Sequence, residues 1–166
     1  MNYQEISPPP DLGWFVRCYW TLSASAGERP PEPALPDGCP ELILNLADPF
    51  RAQVGARDVD QPLAMLVGQI SRPIAVAPAG RVDLVAVRFR PFGASLLHPG
   101  MSTITDGWVD VGVPDSPVAS IMARLDAAVG TDARVVLLGE MLAAVGAGER
   151  RPDARVIAAV ERIEAT

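Results

Sequence analysis

The alternation of apolar and polar residues predicts short β-strands over the first two thirds of the chain. In the segment 41–46 one face is apolar and the other is partly polar, the two sets being Leu42, Leu44 and Leu46 against Glu41, Ile43 and Asn45. Side chains of a strand alternate between its two faces. The turn residues Pro36, Asp37 and Gly38 come just before it, and glycine can take the positive φ that closes such a turn. The pattern therefore predicts a turn, then a strand of a closed or sandwiched sheet with a partly polar interior.

Further strands are predicted at residues 14–22, 63–67, 74–76 and 82–90. The first of them would present two different faces, Trp14, Val16, Cys18, Trp20 and Leu22 on one side and Phe15, Arg17, Tyr19 and Thr21 on the other. Residues 24–33 are rich in proline and charge, so any strand there must be short or at a sheet edge. Short strands separated by turn signals are typical of a barrel or sandwich rather than of βαβ units.

After the last of these strands the hydrophobic period becomes helical. A short helix is predicted at residues 92–98. Ser116 can cap a helix that starts at Pro117 and ends before Gly130, and Thr131 can cap the next helix. The apolar stripes of the two are Val118, Ile121, Met122, Leu125 and Val129, and then Val135, Leu138, Met141, Leu142 and Val145. The stripes predict an antiparallel helical pair joined by a tight turn.

A third amphipathic helix is predicted after Asp153, with an apolar stripe of Val156, Ile157, Val160 and Ile163. Three turns of helix cannot bury such a stripe without more chain. We therefore expect residues 153–166 to begin a further domain and the natural polypeptide to continue. The remaining predicted parts are an N-terminal domain at 1–147, divided into a β-rich part at 1–113 and the helical pair at 116–147, and a linker at 148–152.

Composition and charge narrow the classes of function. The 166 residues are 49% hydrophobic, which is enough for the core of one domain. The formal net charge is −6, whereas a domain that binds nucleic acid by itself usually carries a basic patch. No apolar stretch reaches the roughly 20 residues that a bilayer requires, and the first residues lack the pattern of a signal peptide. Cys18 and Cys39 are then expected to be reduced thiols in a cytoplasmic protein that by itself contacts neither DNA nor a membrane.

Two short motifs carry a resemblance to a known family. Leu-Pro-Asp-Gly-Cys stands at 35–39 and Arg-Pro-Phe-Gly-Ala at 90–94, with Trp14 and Trp20 upstream of both. In this order the motifs resemble the N-terminal domain of a group of AraC-type transcriptional regulators, and the match covers residues 3–113. The resemblance implies a cupin-like sensor domain. It also implies a DNA-binding half of two helix-turn-helix units downstream, whose first helix would be the one after Asp153.

Candidate catalytic and metal-ligating residues are few. His98 is the single histidine and lies near the end of a predicted helix, where the helix dipole favours it. A cupin-type metal site needs several histidine and carboxylate ligands, and a nucleophile–histidine–acid triad would also have to use His98. The glycine-containing stretch 107–112 lacks the lysine and the spacing of a phosphate-binding loop. We therefore predict that the chain is not an enzyme and holds no metal or cofactor.

Candidate ligand-binding residues are aromatic and polar side chains on the predicted strands, namely Trp14, Tyr19, Trp20, Glu41, Asn45, Arg88 and Arg90. For the aromatic residues, packing in the core is the preferred alternative. The face with Glu41 and Asn45 either meets solvent, which is slightly preferred, or lines a pocket with a few polar groups. Arginines on strands are commonly exposed, so a clamp of Arg88 and Arg90 on an anionic ligand is the less favoured interpretation.

Together these observations predict the sensor domain of an AraC-type regulator. A small-molecule effector in the barrel would bias how the helical pair docks on a partner subunit or on the DNA-binding domain. The helical pair is predicted to mediate a homodimer, and DNA would be reached only through the domain beyond this chain. The alternatives are a ligand-free dimerisation module with a collapsed barrel and a stand-alone cupin-like enzyme, which the single histidine opposes.

Overall fold

A computed structural model describes residues 1–27, 32–148 and 151–164. Within these residues the fold is α+β, with ten strands in two antiparallel sheets and three α-helices. The strands are β1 (Asn2–Ile6), β2 (Val16–Ala24), β3 (Glu32–Ala34), β4 (Glu41–Asn45), β5 (Phe50–Val54), β6 (Arg57–Asp60), β7 (Ala64–Val67), β8 (Ile74–Pro78), β9 (Val82–Phe89) and β10 (Trp108–Asp110). The helices are α1 (Pro117–Ala127), α2 (Thr131–Gly146) and α3 (Ala154–Glu164), and short 3₁₀ helices span Gly93–Leu96 and Met101–Ile104. No helix in the described ranges is long and apolar enough to cross a membrane.

The larger sheet is the middle layer of the fold. Its six strands follow the order β1-β2-β9-β4-β7-β10, and the smaller sheet follows β3-β8-β5-β6. One face of the larger sheet packs against α1 and α2 in a core that joins fully buried Leu42 and Val87 to Leu125 and Leu138 of the helices. The opposite face contacts the smaller sheet, where Phe50 packs near the buried residues of β2 and β9. Helices, large sheet and small sheet therefore form three successive layers, which confirms that a β-rich part is followed by a helical pair, an α+β fold.

The strand β4 confirms the alternation seen in the sequence. It lies between β9 and β7, with Glu41 paired to Arg88 on one side and to Val67 on the other. Leu42 and Leu44 are fully buried in the helix-facing core. Glu41, Ile43 and Asn45 therefore point to the opposite face, toward the smaller sheet.

The first predicted strand differs from the structure at its start. Trp14 lies in the turn before β2, which begins at Val16. A register shift between Val16 and Cys18 in the pairing of β2 with β9 marks a bulge, and a bulge inserts one residue and so changes which face follows. Val16 therefore shares the helix-facing core with Tyr19, while Cys18 and Trp20 lie on the other face. The grouping of Val16 with Cys18 and Trp20 was wrong for this reason.

Several strands have no clear signal in the sequence. All four residues of β6 are exposed, and four of the five in β1 are exposed. Since neither strand buries one face, no alternation of apolar and polar residues marks it. The proline-rich loop does hold a strand, β3, which has three residues and lies at an edge of the smaller sheet as predicted. Residues 28–31 of that loop lie outside the described residues.

The helical pair forms with small differences at its ends. Ser116 Oγ accepts a hydrogen bond from the Ala119 N–H at 2.9 Å, as predicted for the cap of α1. The helix ends at Ala127, and Val129, predicted to belong to its apolar stripe, is 93% exposed. Thr131 was predicted to cap α2 but is its first residue, after Gly130 with φ of +87°.

Contacts between the helices establish their antiparallel arrangement. Arg124 near the end of α1 is 3.4 Å from Glu140 in the second half of α2. A groove between the helices joins Pro117 at the start of α1 to Val145 at the end of α2. Leu137, which is not among the residues of the predicted stripe, packs against the helix-facing core.

The described part of the C-terminal region includes α3. The Arg155 N–H donates to Asp153 Oδ1 at 2.8 Å, so Asp153 caps the helix that was predicted to follow it. Val156 and Ile163 of the predicted stripe are 46% and 74% exposed. Residues 149–150 of the predicted linker and residues 165–166 lie outside the described residues, and the domain boundary stays a prediction.

Candidate functional site

A cavity of about 270 Å³ lies between the two sheets. Most of its wall is apolar and comes from the inward faces of both sheets, with Trp20, Leu22, Ile43, Met65, Val67, Leu84 and Trp108 from the larger and Ala34, Phe50, Ile74 and Val76 from the smaller. The volume is near the lower end of the range for small-molecule sites. The period-two alternation of β4 and β9 creates this wall, since it sends one set of side chains to the helices and the other to the cavity.

The pairing register arranges the cavity side chains in cross-strand rows. One row runs from Cys18 through Arg88, Glu41 and Val67 to Trp108, residues that are paired directly from strand to strand. Directly paired side chains on one face of a sheet lie close together. Both charged groups of the larger sheet that line the cavity, Glu41 and Arg88, are therefore neighbours at one end of it, called the polar end below.

Glu41 is the centre of the polar end. Its Oε1 accepts hydrogen bonds from Trp20 Nε1–H at 3.0 Å and from Arg88 Nε–H at 2.7 Å. The Glu41 side chain is 19% exposed. Burial raises the pKa of Glu41 above the ordinary value of a glutamate, even though Arg88 and Trp20 act in the opposite direction.

Two further carboxylates surround the Arg88 guanidinium. Asp37 Oδ2 lies 3.3 Å from Nε, and Glu5 Oε1 lies 3.4 Å from one terminal nitrogen. Tyr3 donates its hydroxyl hydrogen to the same Glu5 oxygen. Burial lowers the pKa of Arg88, but the attraction of Glu41 and the hydrogen bond to it outweigh this and raise the pKa overall. Arg88 is therefore a cation held among acidic groups.

The turn before β4 positions Asp37. Gly38 has φ of +74°, the left-handed conformation that the sequence predicted. Asp37 Oδ1 accepts the Cys39 N–H at 2.9 Å, and the Gln69 side chain donates to the Gly38 carbonyl at 3.0 Å. With one oxygen engaged by the turn, the other faces Arg88. The Leu-Pro-Asp-Gly-Cys motif thus delivers a carboxylate to the polar end.

Asn45 also lines the cavity, but its amide serves the fold. It donates to the Asp48 carbonyl at 2.7 Å and accepts the Ala47 N–H at 3.0 Å. The side chain is 5% exposed, and buried amides require such partners. Asn45 therefore shapes the turn after β4 and contributes mainly its apolar surface to the cavity.

Four of the seven candidate residues, Trp20, Glu41, Asn45 and Arg88, meet at the cavity, and Trp14, Tyr19 and Arg90 do not. Tyr19 is fully buried in the helix-facing core, and its hydroxyl has no hydrogen-bond partner among the described residues. Burial raises its pKa to about 12. The Trp14 ring packs on Phe15 and lies 5.5 Å from the Arg151 guanidinium.

Arg90 does not line the cavity but contacts the turn before β2. Its Nε–H donates to the Gly13 carbonyl at 2.8 Å, and its backbone N–H donates to the Phe15 carbonyl at 2.9 Å. A Cβ on Gly93 would lie only 2.2 Å from that Phe15 oxygen. The Arg-Pro-Phe-Gly-Ala motif therefore joins the end of β9 to the turn before β2.

Sequence reasoning missed several cavity residues. Trp108 and Met65 stand on the strands β10 and β7, and Phe50 and Ile74 come from the smaller sheet. Trp108 could have been noticed in the sequence, since it is a large aromatic residue directly after Gly107. The others look like ordinary core residues, and only the pairing of strands brings them to one wall.

The described residues contain no group of three or more histidine, cysteine, aspartate or glutamate side chains able to hold a metal ion. Neither Cys18 nor Cys39 forms a disulfide. Burial raises the pKa of Cys18 to about 11. Arg17 donates to the Cys39 sulfur at 3.3 Å.

The sequence was compared with models of protein families, and one family matches the part of the chain that forms the cavity. The family described as Domain of unknown function (DUF6597) matches residues 4–110. A comparison with curated proteins finds no match to this chain. Every cavity-lining residue, from Trp20 to Trp108, falls within the matched range. The match also covers well over half of the 166 residues. The chain therefore belongs to the DUF6597 family.

Proposed function

We propose that this chain is a ligand-sensing domain of cupin-like type that regulates a DNA-binding domain of an AraC-type transcription factor. The observation that carries the proposal is the cavity between the two sheets, with its apolar walls and few polar groups. Such a composition is typical of small-molecule sites. The resemblance of the two motifs to AraC-type sensor domains supports the regulatory role. A retained cavity also weighs against the alternative of a collapsed, ligand-free dimerisation module.

Strand β9 offers a path from the cavity to the helices. Leu84 and Arg88 line the cavity, while Val85 and Val87 of the same strand belong to the helix-facing core. A ligand that prefers one position of β9 would shift the population of helix arrangements. The regulated surface would then be the helical pair α1–α2, and DNA would be bound only by a further domain.

A neutral apolar probe tests the binding part of the proposal. 3-Phenylpropan-1-ol should bind the purified chain in isothermal titration calorimetry. Ile43→Trp places a larger side chain in the cavity and should abolish the heat of binding. Val54→Trp, on an exposed position of β5, is the matched control and should bind as the wild type does.

Circular dichroism must show that the blocked variant is folded. If Ile43→Trp does not fold, Val76→Phe blocks the cavity from the opposite sheet. Equal binding by wild type and a folded blocked variant would show that the cavity is not the site. Absence of binding to the wild type would favour the collapsed module.

The regulatory part is tested on the native gene. The reading frame should encode about 100 further residues, a common domain length, with two helix-turn-helix units and a basic balance. A stop codon directly after Thr166 would remove this part of the proposal. The isolated chain should not bind duplex DNA even at low salt, where non-specific binding is strongest.

A further inference from the structure

We infer that the cavity takes amphiphilic cations, molecules with an apolar body and an ammonium group that binds at Glu41. The inference rests on the proposed function, since it assumes that the cavity holds a ligand. It concerns the chemical class of that ligand, which the shape of the cavity alone does not decide.

The charges at the polar end favour a cation. Three carboxylates, Glu5, Asp37 and Glu41, lie within 3.4 Å of the Arg88 guanidinium. With every group ionised, three negative charges face one positive charge. Arg17, which donates to Cys39 Sγ, brings a second positive charge to this region, and even with Arg17 the balance stays negative. A bound cation would restore neutrality, whereas an anion would add to the excess.

An anionic ligand would also meet an arginine, Arg88, whose charge is already balanced by three carboxylates. Its Nε–H donates to Glu41, Asp37 Oδ2 lies 3.3 Å from the same nitrogen, and one terminal nitrogen donates to Glu5. A ligand carboxylate at the remaining N–H groups of the guanidinium would lie near all three carboxylates, and their repulsion would oppose its attraction to Arg88. Arg90, the second half of the anion clamp considered from the sequence, donates to Gly13 and is not part of the cavity wall. The geometry therefore does not support an anion site.

Glu41 itself retains accepting capacity. Both of its hydrogen bonds end on Oε1, and Oε2 accepts none from the described residues. A carboxylate oxygen accepts up to two hydrogen bonds, and those from charged donors are the stronger ones. Since burial already disfavours the ionised form of Glu41, an ammonium group at Oε2 would stabilise the charge where water is scarce.

Two tryptophans also favour a cationic ligand. Trp108 stands in the cross-strand row of Glu41, and Trp20 donates to Glu41 directly. Indole is the side-chain ring that attracts cations most strongly. The remaining apolar wall, including Ile43, Met65 and Leu84, would surround the body of the ligand.

Three probes with one body and different charges test the inference. 3-Phenylpropylamine, 3-phenylpropan-1-ol and 3-phenylpropanoate are titrated into the protein at low ionic strength and near neutral pH, where the first is a cation and the last an anion. Binding is measured by calorimetry. We expect the amine to bind about tenfold more tightly than the alcohol, and the carboxylate more weakly than either.

Glu41→Gln should remove this preference, so that the amine no longer binds more tightly than the alcohol. Glu140→Gln is the matched control, since Glu140 is an exposed carboxylate on α2 that pairs with Arg124 outside the cavity. It should leave all three affinities unchanged.

The outcomes separate the two proposals. Binding of the alcohol with equal or tighter binding of the carboxylate overturns the cation inference and leaves the cavity as a binding site. An amine preference that persists in folded Glu41→Gln also overturns it. Failure of all three probes overturns the proposed function and the inference together.

Discussion

Arg134 on α2 donates to both carboxylate oxygens of Asp83 on β9, at 2.7 and 3.1 Å. Both side chains are less than one fifth exposed, at 17% and 18%. The same arginine reaches the Leu125 carbonyl at the end of α1, 3.3 Å from its Nε. One guanidinium thus links both helices to the strand that carries Leu84 and Arg88 of the cavity.

We expect Arg134→Gln to lower the free energy of unfolding by about 1.5–3 kcal/mol, the range for hydrogen bonds to charged groups. Urea denaturation followed by circular dichroism measures the change. Arg124→Gln is the matched control, because the pair of Arg124 with Glu140 is about 60% exposed on both sides and should contribute less than about 0.5 kcal/mol. Equal losses for the two variants would contradict a special role for the Asp83 pair.

Gly93→Ala should destabilise the protein by about 2 kcal/mol or more, as in overpacked sites. The new Cβ would lie 2.2 Å from the Phe15 carbonyl oxygen, which is backbone and already accepts the Arg90 N–H. Gly107→Ala is the control, since its Cβ would meet only the Ile104 carbonyl at 3.7 Å. Thermal and urea unfolding compare the two. A Gly93→Ala variant as stable as Gly107→Ala would show that the turn before β2 can move away.

The stability of the protein should depend on pH through Glu41. Burial raises the pKa of Glu41 above its ordinary value of 4.5, so the folded state binds this proton more tightly than the unfolded chain. The contribution of Glu41 to the free energy of unfolding therefore falls as pH rises from 4.5 through the raised pKa. The Glu41→Gln variant has no ionisable group at this position, so it lacks this pH-dependent contribution to the free energy of unfolding.

Urea unfolding of both proteins across this range of pH gives the test. We expect the wild type to lose stability relative to Glu41→Gln as pH rises. A stability difference that stays constant, or that moves in favour of the wild type, would contradict the direction of the pKa shift.

Self-association through α1–α2 stays a prediction. The structure shows at which position of α2 a charge would test it without disturbing the core. Leu137 packs against the core, so a charge there would damage the fold itself. Val136 on α2 is 59% exposed, and Val136→Glu should convert a dimer into a folded monomer in sedimentation velocity. Val54→Glu, at a 52% exposed position of β5, should remain dimeric. A monomeric wild type at high concentration would favour the alternative in which α2 packs only against its own sheet and α1.

The local order of elements could be predicted from the sequence. The alternation in 41–46 marked β4 and its two faces, and Ser116-Pro117 marked the start of α1. These signals are short-range, because strand alternation and helix caps depend on neighbours within about four residues. Where burial of one face is absent, as in β1 and β6, the same reasoning finds nothing.

For the candidate site as well, some features could be predicted from the sequence and others could not. Glu41, Asn45 and Arg88 stood out as polar residues on apolar strands, yet the sequence preferred solvent for the Glu41 face. The structure turns that face to a second sheet and brings Asp37 and Glu5 to Arg88. It also separates Arg90 from Arg88 by ending β9 at Phe89 and fixing Arg90 on Gly13.

Each residue's own preference for strand, turn or helix was therefore determined by the sequence nearby. Which strands became neighbours, and so which charges share the cavity, was decided only by tertiary packing. The pairs Glu5–Arg88 and Glu41–Arg88 join residues 83 and 47 positions apart. Such contacts depend on the register of β1, β2, β9 and β4 together, and on the bulge at Val16 that sets which side of β2 faces inward. A shift of one residue in any of these pairings would move the side chains of that strand to the opposite face. The sequence of a single strand does not determine which register it adopts against its neighbours.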